Sequence, residues 1–199
     1  LFSATVPEWV MSTAARYLRN PVMVRVDPEM QAPPEVEHIV LEVNSSAKLA
    51  ALHTLLDQRG DRPVIVFGRT KHGVKQLARH LGDRGYPVAA LQGNLSQNAR
   101  EQVMSDFRSG KVPILMATNV AARGIDVDGI DRVINYELPD SALLFTHRAG
   151  RTGRMGRPGE TITLITPEDG PKWRQIEHAL GRHLTRRVPI SLSDKYIRS

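Results

Sequence analysis

The chain has 199 residues, 41% of them hydrophobic, so it can bury a sizeable core and is not a disordered tail. Lysine and arginine number 27 against 21 acidic residues, a net charge of +6 that favours a polyanionic partner such as nucleic acid. The absence of cysteine excludes a disulfide framework, and no run of about 18 apolar residues could span a membrane. We therefore expect a cytoplasmic globular protein with no membrane partner; its oligomeric state stays open.

Short apolar runs alternate with helical spacing along most of the chain, a pattern typical of a parallel sheet wrapped by helices. The runs with the length and composition of buried strands are VMVRV (22–26), VEHIVLEV (36–43), PVIVF (63–67), PVAAL (87–91), VPILMA (112–117), RVINY (132–136) and TITLIT (161–166). Between them, apolar residues over 74–81 and leucines over 49–56 fall on one side of a helix. The sequence predicts an α/β fold with an open parallel sheet.

Polar and glycine residues mark where these helices begin and end. Ser46 and Ser96 stand where a side chain can cap a helix, and Gly60 and Gly85 stand where glycine can end one. The segment DPEMQAPPE has three prolines and no apolar period, which predicts a linker over 28–35. The opening LFSATVPEWV has no initiator methionine or leader, so we expect a part of a longer chain.

Ligands of open parallel sheets bind beyond the carboxyl ends of the strands, so the segments after the strands are the candidate sites. The first, GRTKHGVK (68–75), has the glycine spacing of a phosphate-binding loop but lacks the lysine and hydroxyl that should follow. It is either an ordinary strand-to-helix turn, or a place where Arg69, Thr70 and Lys71 meet a phosphate backbone.

Two further strand ends carry polar residues. In QGNLSQNAR (92–100), a helix capped by Ser96 would present its positive end, and Arg100 lies only a turn further on. An external phosphate would reconcile the two, and a solvated arginine is the alternative. In TNVAARGIDV (118–127), Asp126 could accept a hydrogen bond from a ligand hydroxyl, although this segment alone is also a turn with polar caps.

The last strand end is HRAGRTGRMGRPGE (147–160), in which arginine recurs at every third residue: Arg148, Arg151, Arg154 and Arg157. Asp140 or Ser141 can begin a helix before it, and the glycines should end that helix near Gly153. Guanidinium groups suit bidentate contact with phosphate, which favours a triphosphate or a nucleic-acid backbone over a solvated basic loop.

These segments, in this order and spacing, resemble the second RecA-like domain of DEAD-box ATP-dependent RNA helicases over nearly the whole chain. ATNVAARGIDV resembles motif V and HRAGRTGR resembles motif VI, both highly specific, while VIVFGRT is similar to motif IV and LQGNLSQNAR to the conserved segment that follows it. LFSAT resembles motif III. The resemblance implies a RecA-like three-layer sandwich over 36–188, preceded by the end of the first RecA-like domain at 1–27 and followed by a basic tail, 189–199.

The resemblance also implies roles for individual residues. The residues expected to contact ATP are Gly124, Asp126, Arg151 and Arg154, of which Arg151 and Arg154 would be catalytic and Arg154 the arginine finger. The residues expected to couple the two sites are Ser3, Thr5, His147 and Arg148. The residues expected along the RNA backbone are Thr70, Gly93, Gln97, Arg100, Thr118 and Arg123. Asn119 stands where the family more often has aspartate, so an ion pair at that position is an open question.

The implied activity of the whole protein is ATP hydrolysis coupled to local unwinding of RNA, which is bound without sequence preference through its backbone. This chain has no complete phosphate loop and no strand ending in a pair of acids, so ATP and Mg²⁺ would be held mainly by the first domain. By itself it should bind RNA weakly and hydrolyse no ATP. The alternatives are another superfamily 2 helicase or translocase, or a non-catalytic RNA-binding module.

Overall fold

The computed structural model describes residues 8–19, 22, 36–122, 130–153, 157–181, 183, 184, 186 and 187. The chain divides into two compact units, Leu1–Pro33 and Pro34–Ser199. In the first unit, the described part is one helix, α1 (Glu8–Tyr17), and the few residues after it. Every other described element belongs to the second unit.

The second unit alternates strands and helices. Its elements are β1 (Val36–Glu42), α2 (Lys48–Asp57), β2 (Val64–Phe67), α3 (Lys71–Asp83), β3 (Val88–Leu91), α4 (Gln97–Arg108), β4 (Ile114–Ala117), β5 (Arg132–Asn135), α5 (Ala142–Ala149), β6 (Gly159–Ile165), α6 (Gly170–Leu180) and β7 (Arg186–Arg187), with short 3₁₀ turns at Ser45–Ala47 and Pro167–Asp169. Six of the seven predicted strands are thus confirmed. The first, 22–26, lies outside the described residues except for Val22.

The strands form one sheet in the order β3-β4-β2-β5-β6-β1-β7 within the described part of the chain. Each neighbouring pair is parallel. An interior strand of the sheet is β2, where Val64 lies opposite Ile114 of β4 and Arg132 of β5. All four side chains of β2 are buried, because a central parallel strand is covered on both faces. The predicted RecA-like open parallel sheet is confirmed.

Helices cover both faces of the sheet, which makes three layers. Because successive side chains of a strand point to opposite faces, Val64 and Val66 pack with α2 and α3, whereas Ile65 and Phe67 pack with α4. A third cluster lies beneath α5 and α6 around Trp173, which is 1% exposed. No helix of the described part is long and apolar enough to cross a membrane.

Two helix boundaries follow the prediction and one does not. The Ser96 side chain accepts from Ala99 N at 3.3 Å and begins α4, while Gly60 and Gly85 adopt φ of 63° and 84° after α2 and α3. The expected cap at Ser46 is wrong. Ser46 lies inside the 3₁₀ turn, and α2 begins after it without a side-chain cap, because this turn already leads the chain into the helix.

Candidate functional site

The carboxyl ends of β2, β4, β5 and β6 lie side by side, since these strands are parallel neighbours of the sheet. The segments that follow them therefore meet at one edge, although they are far apart in sequence. The C-terminal end of α5 packs against this edge through Arg148.

Arg148 is the centre of this edge. It is 3% exposed, and its guanidinium donates to three oxygens: Nε to Asn119 Oδ1 at 2.7 Å, Nη1 to Asn135 Oδ1 at 2.9 Å, and Nη1 to the carbonyl of Glu137 at 2.7 Å. Its Cζ lies 4.8 Å from the centre of the Phe67 ring, within the range of a cation–π contact. One side chain thus joins the ends of β2, β4 and β5 to α5.

The electrostatic environment of Arg148 reflects this burial. Burial lowers the pKa of Arg148 from its ordinary value to about 10; nearby Asp140 and Glu137 act in the opposite direction, and Arg69 adds to the decrease. The group therefore remains charged at neutral pH. Its hydrogen-bond acceptors on Asn119, Asn135 and the Glu137 carbonyl are uncharged, so the cation is held by dipoles and by more distant carboxylates.

Asn119 therefore makes a neutral hydrogen bond to Arg148 at the position where the resemblance led us to consider a carboxylate. This answers the question that the sequence left open, because no ion pair can form between an amide and a guanidinium. Asn135, the other amide partner, is completely buried and donates from Nδ2 to Thr163 Oγ1 of β6 at 3.0 Å. The network therefore extends across four neighbouring strands.

The end of α5 is fixed immediately after Arg148. The Ser141 side chain begins this helix by accepting from Leu144 N at 3.2 Å, but the helix ends at Ala149, before the predicted end near Gly153. The last turn is tightened because the buried Thr152 hydroxyl donates to the carbonyls of Ile130, at 2.6 Å, and of the next residue.

Gly159 closely approaches the chain at Thr152 and Gly153. A Cβ added to Gly159 would collide with the backbone nitrogen of Gly153 and would lie 2.5 Å from Thr152 Oγ1. His147 is exposed at the end of α5, and the Nε of the half-buried Arg151 donates to its carbonyl at 3.3 Å. The described residues after α5, up to Gly153, are thus held against the start of β6.

The turn after β2 has the features of an ordinary strand-to-helix connection. The Thr70 hydroxyl accepts from Gly73 N at 3.0 Å and caps α3, and the backbone N–H of Arg69 donates to the Glu137 carboxylate. Arg69, Thr70 and Lys71 are nevertheless exposed, so they remain accessible to a ligand at this edge.

The remaining residues predicted to contact RNA differ in their exposure to solvent. Gly93 and Gln97 are exposed, and Gln97 Nε2 donates to Glu101 Oε1 at 2.7 Å. Arg100 fits neither alternative fully: it is half-buried, and its Nη2 donates to the carbonyl of Ala121 at 2.7 Å. Thr118 is 8% exposed and accepts from Ala121 N at 3.4 Å. Arg100 and Thr118 thus both hold the turn after β4.

Residues 47–156 match the family described as the helicase conserved C-terminal domain, which is more than half of the chain. The chain belongs to this family. The resemblance to the second RecA-like domain of DEAD-box helicases is likewise confirmed by the relatives and solved structures that follow.

This helicase domain is 38% identical over 194 residues to the DEAD-box ATP-dependent RNA helicase CshA of Geobacillus kaustophilus. The matched region is 98% of this chain and 42% of that protein. A DEAD box protein from the hyperthermophile Methanococcus jannaschii matches with 37% identity and a TM-score of 0.71, over 92% of this chain and 49% of that one. S. cerevisiae Dbp5 bound to RNA and ADP BeF3 matches with 29% identity and a TM-score of 0.82, over 95% and 50%. The chain spans less than half the length of its curated relative.

Several predicted site residues of the helicase domain lie outside the described residues: Ser3, Thr5, Arg123, Gly124, Asp126 and Arg154. Within the described ranges, no three histidine or acidic side chains are grouped so that they could hold a metal ion.

Sequence reasoning missed the polar partners of Arg148. Asn135 and Glu137 fall in or just after the buried run RVINY, and the family segments quoted for the resemblance do not include them. The available signal was the amide of Asn135 directly after the apolar pair Val133 and Ile134, because a buried polar side chain requires a hydrogen-bonding partner. The sequence does not show which residue that partner is.

Proposed function

We propose that the whole protein is an ATP-dependent RNA helicase, in which this domain binds the RNA backbone and completes the ATP site of the first domain. The observation that carries this proposal is the Arg148 network, which joins the segments resembling motifs IV, V and VI at one edge of the sheet. Such an edge can respond as a unit to two ligands, because its strand ends share one buried side chain.

The ATP site would be formed between two domains. Arg151 and Arg154 would reach the phosphates of ATP held by the first domain, and Gly124 and Asp126 would lie at its ribose. An arginine in this position stabilises the charge that develops on the transferred phosphoryl group, an effect of about 10³ to 10⁵ in rate in GTPases. Mg²⁺ would be held mainly by the first domain, of which residues 1–27 would be the last part.

The RNA path would cross the exposed residues after β2 and β3. Thr70, Gly93 and Gln97 are exposed there, and Arg123 would lie further along this path. Contacts to phosphate and sugar explain binding without sequence preference, and the 2′-hydroxyl provides the preference for RNA over DNA. Aromatic residues make up 5% of the chain, which argues against base stacking as the main source of affinity.

Coupling between the two sites would pass through His147 and Arg148, with Ser3 and Thr5 on the side of the first domain. Binding of ATP and RNA would draw the two domains together and bend one strand of a short duplex, and hydrolysis would release it. The described position of Arg148, between the segments after β2 and β4 and the helix before Arg151, supports this role.

The test is strand separation by the full-length protein with ATP, on short RNA and DNA duplexes of the same sequence. We expect ATP-dependent separation of the RNA duplex and little separation of the DNA duplex. Preference for DNA would instead indicate another superfamily 2 motor. Binding of RNA without any strand separation or ATP hydrolysis would contradict the proposal and indicate a non-catalytic RNA-binding module.

A further inference from the structure

Glu137, two residues after the end of β5, uses three polar groups to contact three parts of the edge. Its N–H donates to the carbonyl of Phe67 at 3.2 Å and continues the pairing of β5 with β2. Its carbonyl accepts from Arg148 Nη1 at 2.7 Å. Its carboxylate accepts from the backbone N–H of Arg69. Glu137 is therefore bonded both to the turn after β2 and to the arginine of α5.

The two ends of this connection lie next to the two proposed sites. Arg69 immediately precedes Thr70, the cap of α3 that we place on the RNA path. Arg148 lies in the last turn of α5, three residues before Arg151. Between the backbone of the RNA-side turn and the guanidinium at the ATP side, the connection consists of one residue and two hydrogen bonds.

The turn after β2 also has little room to move relative to Glu137. A Cβ added to Gly68 would lie 2.7 Å from Val74 Cγ2 and 3.6 Å from Glu137 Oε2. The turn thus packs closely between the first residues of α3 and the Glu137 carboxylate. A displacement of Arg69 that preserves this packing must be passed on to Glu137, because close-packed groups transmit strain.

We propose that Glu137 is a positioning residue that transmits RNA binding at the turn after β2 to Arg148 and so to the arginines at the end of α5. This inference rests on the proposed function and identifies a residue to which neither the sequence motifs nor the family resemblance assigns a role. Coupling between two binding sites is reciprocal, so the same contact must make bound nucleotide tighten RNA binding.

A pair of isosteric variants of the full-length protein tests this role. Glu137→Met has a similar length but no strong acceptor for the Arg69 N–H, whereas Glu137→Gln keeps an oxygen there. For each, the dissociation constant of a single-stranded RNA is measured alone and with ADP–beryllium fluoride and Mg²⁺. The coupling ratio is the dissociation constant without nucleotide divided by the constant with nucleotide. We expect this ratio to fall at least fivefold in Glu137→Met, the low end of typical coupling factors, and to stay within twofold of wild type in Glu137→Gln.

The matched control is Glu168→Ala. Glu168 also accepts a hydrogen bond from a neighbouring loop, at 3.1 Å from Ser45 Oγ, but on the β1 and β6 side of the same edge. We expect it to leave the ratio unchanged. A purely structural role of Glu137 would weaken RNA binding equally with and without nucleotide and so leave the ratio unchanged. An unchanged ratio in Glu137→Met, or a reduction of the same size in the control Glu168→Ala, would therefore overturn the inference.

The same measurements separate failure of this inference from failure of the proposed function. If the wild-type protein shows RNA-stimulated ATP hydrolysis and a ratio well above one, but Glu137→Met keeps that ratio, the inference alone is wrong. If the wild-type protein shows neither, the proposed function is wrong and the inference is wrong with it. Circular dichroism and thermal unfolding of both variants verify that they are folded.

Discussion

The edge that carries the site consists of two parts held together by different kinds of contact. Across β2, β4 and β5, the strand ends are joined by Arg148, which is 3% exposed and makes three hydrogen bonds. Across β1 and β6, the following loops are joined by a hydrogen bond from Ser45 to Glu168, and by Lys48 and Asp169 at 3.8 Å. An open cleft of about 430 Å³ lies between these loops.

The buried polar groups of this edge, Arg148 and Asn135, lie on the β2, β4 and β5 side. A buried and satisfied network fixes the positions of its members, whereas an exposed pair such as Ser45 and Glu168 competes with water and contributes little. Substitutions in the two parts should therefore differ strongly in their effects, and the following changes test that difference.

Arg148→Met should have the largest effect. It fills much of the same volume but leaves the oxygens of Asn119, Asn135 and Glu137 without their donor in a buried site, which costs about 3 kcal/mol or more of unfolding free energy. Urea unfolding of the 199-residue chain measures it. Arg157→Met, at an exposed position, is the control and should change the unfolding free energy by about 0.5 kcal/mol or less. Equal effects of the two substitutions would contradict the comparison.

Gly159→Ala should rank second. The added methyl group meets the backbone of Gly153 and the hydroxyl of Thr152, which cannot move without breaking its bond to Ile130, so we expect a loss of about 2 kcal/mol. Gly82→Ala provides a control of opposite sign. Gly82 lies inside α3, and its added Cβ would lie 3.9 Å from Val88 Cγ1 of β3, so alanine should stabilise the helix by up to about 1 kcal/mol. Urea unfolding distinguishes the two directions.

Asn119→Asp should strengthen the part of the edge that Arg148 holds together. A carboxylate at this position would accept a charge-assisted hydrogen bond from Arg148 Nε, so we expect the unfolding free energy to rise by about 1 kcal/mol. Asn119→Ala should lower it, because the Nε donor would then lack its partner. Thermal unfolding at neutral pH measures both. A decrease for the aspartate variant would show that this site does not tolerate a second charge.

Glu168→Gln should have the smallest effect on stability, and the effect should be present only at a pH where the carboxyl group of Glu168 is ionised. The pKa of Glu168 lies below its ordinary value of 4.5, chiefly through a hydrogen bond from Thr166 and also through Ser45. Its ionised form therefore contributes stability that is present above about pH 4.5 and lost as the pH falls through the folded pKa. The melting temperatures of wild type and variant should differ slightly at pH 7 and converge near pH 3. A difference that grows on acidification would contradict this sign.

The strands and their order of appearance were predictable, because a sheet covered on both faces requires short continuous apolar runs such as PVIVF and VPILMA. The cap at Ser96 was predictable for a similarly local reason. The position of Ser46 inside a 3₁₀ turn was not predictable, since a serine before a helical pattern does not show whether such a turn precedes the α-helix.

The contacts of the site were less predictable than the motifs that form it. The Arg148 partners Asn119, Asn135 and Glu137 meet because β4, β2 and β5 are neighbours, and the order of strands in the sheet is not written in any one segment. The early end of α5 has the same origin, since Thr152 is held by carbonyls 21 and 22 residues away in sequence.

We propose that this domain supplies an arginine to ATP bound by another domain. The most direct test of this proposal is the rate of RNA-stimulated ATP hydrolysis by the full-length protein, for wild type, Arg154→Ala and the control Arg157→Ala. We predict a loss of about 10³-fold or more in Arg154→Ala with RNA binding retained, and no change in the control. Unchanged hydrolysis in Arg154→Ala would contradict the claim.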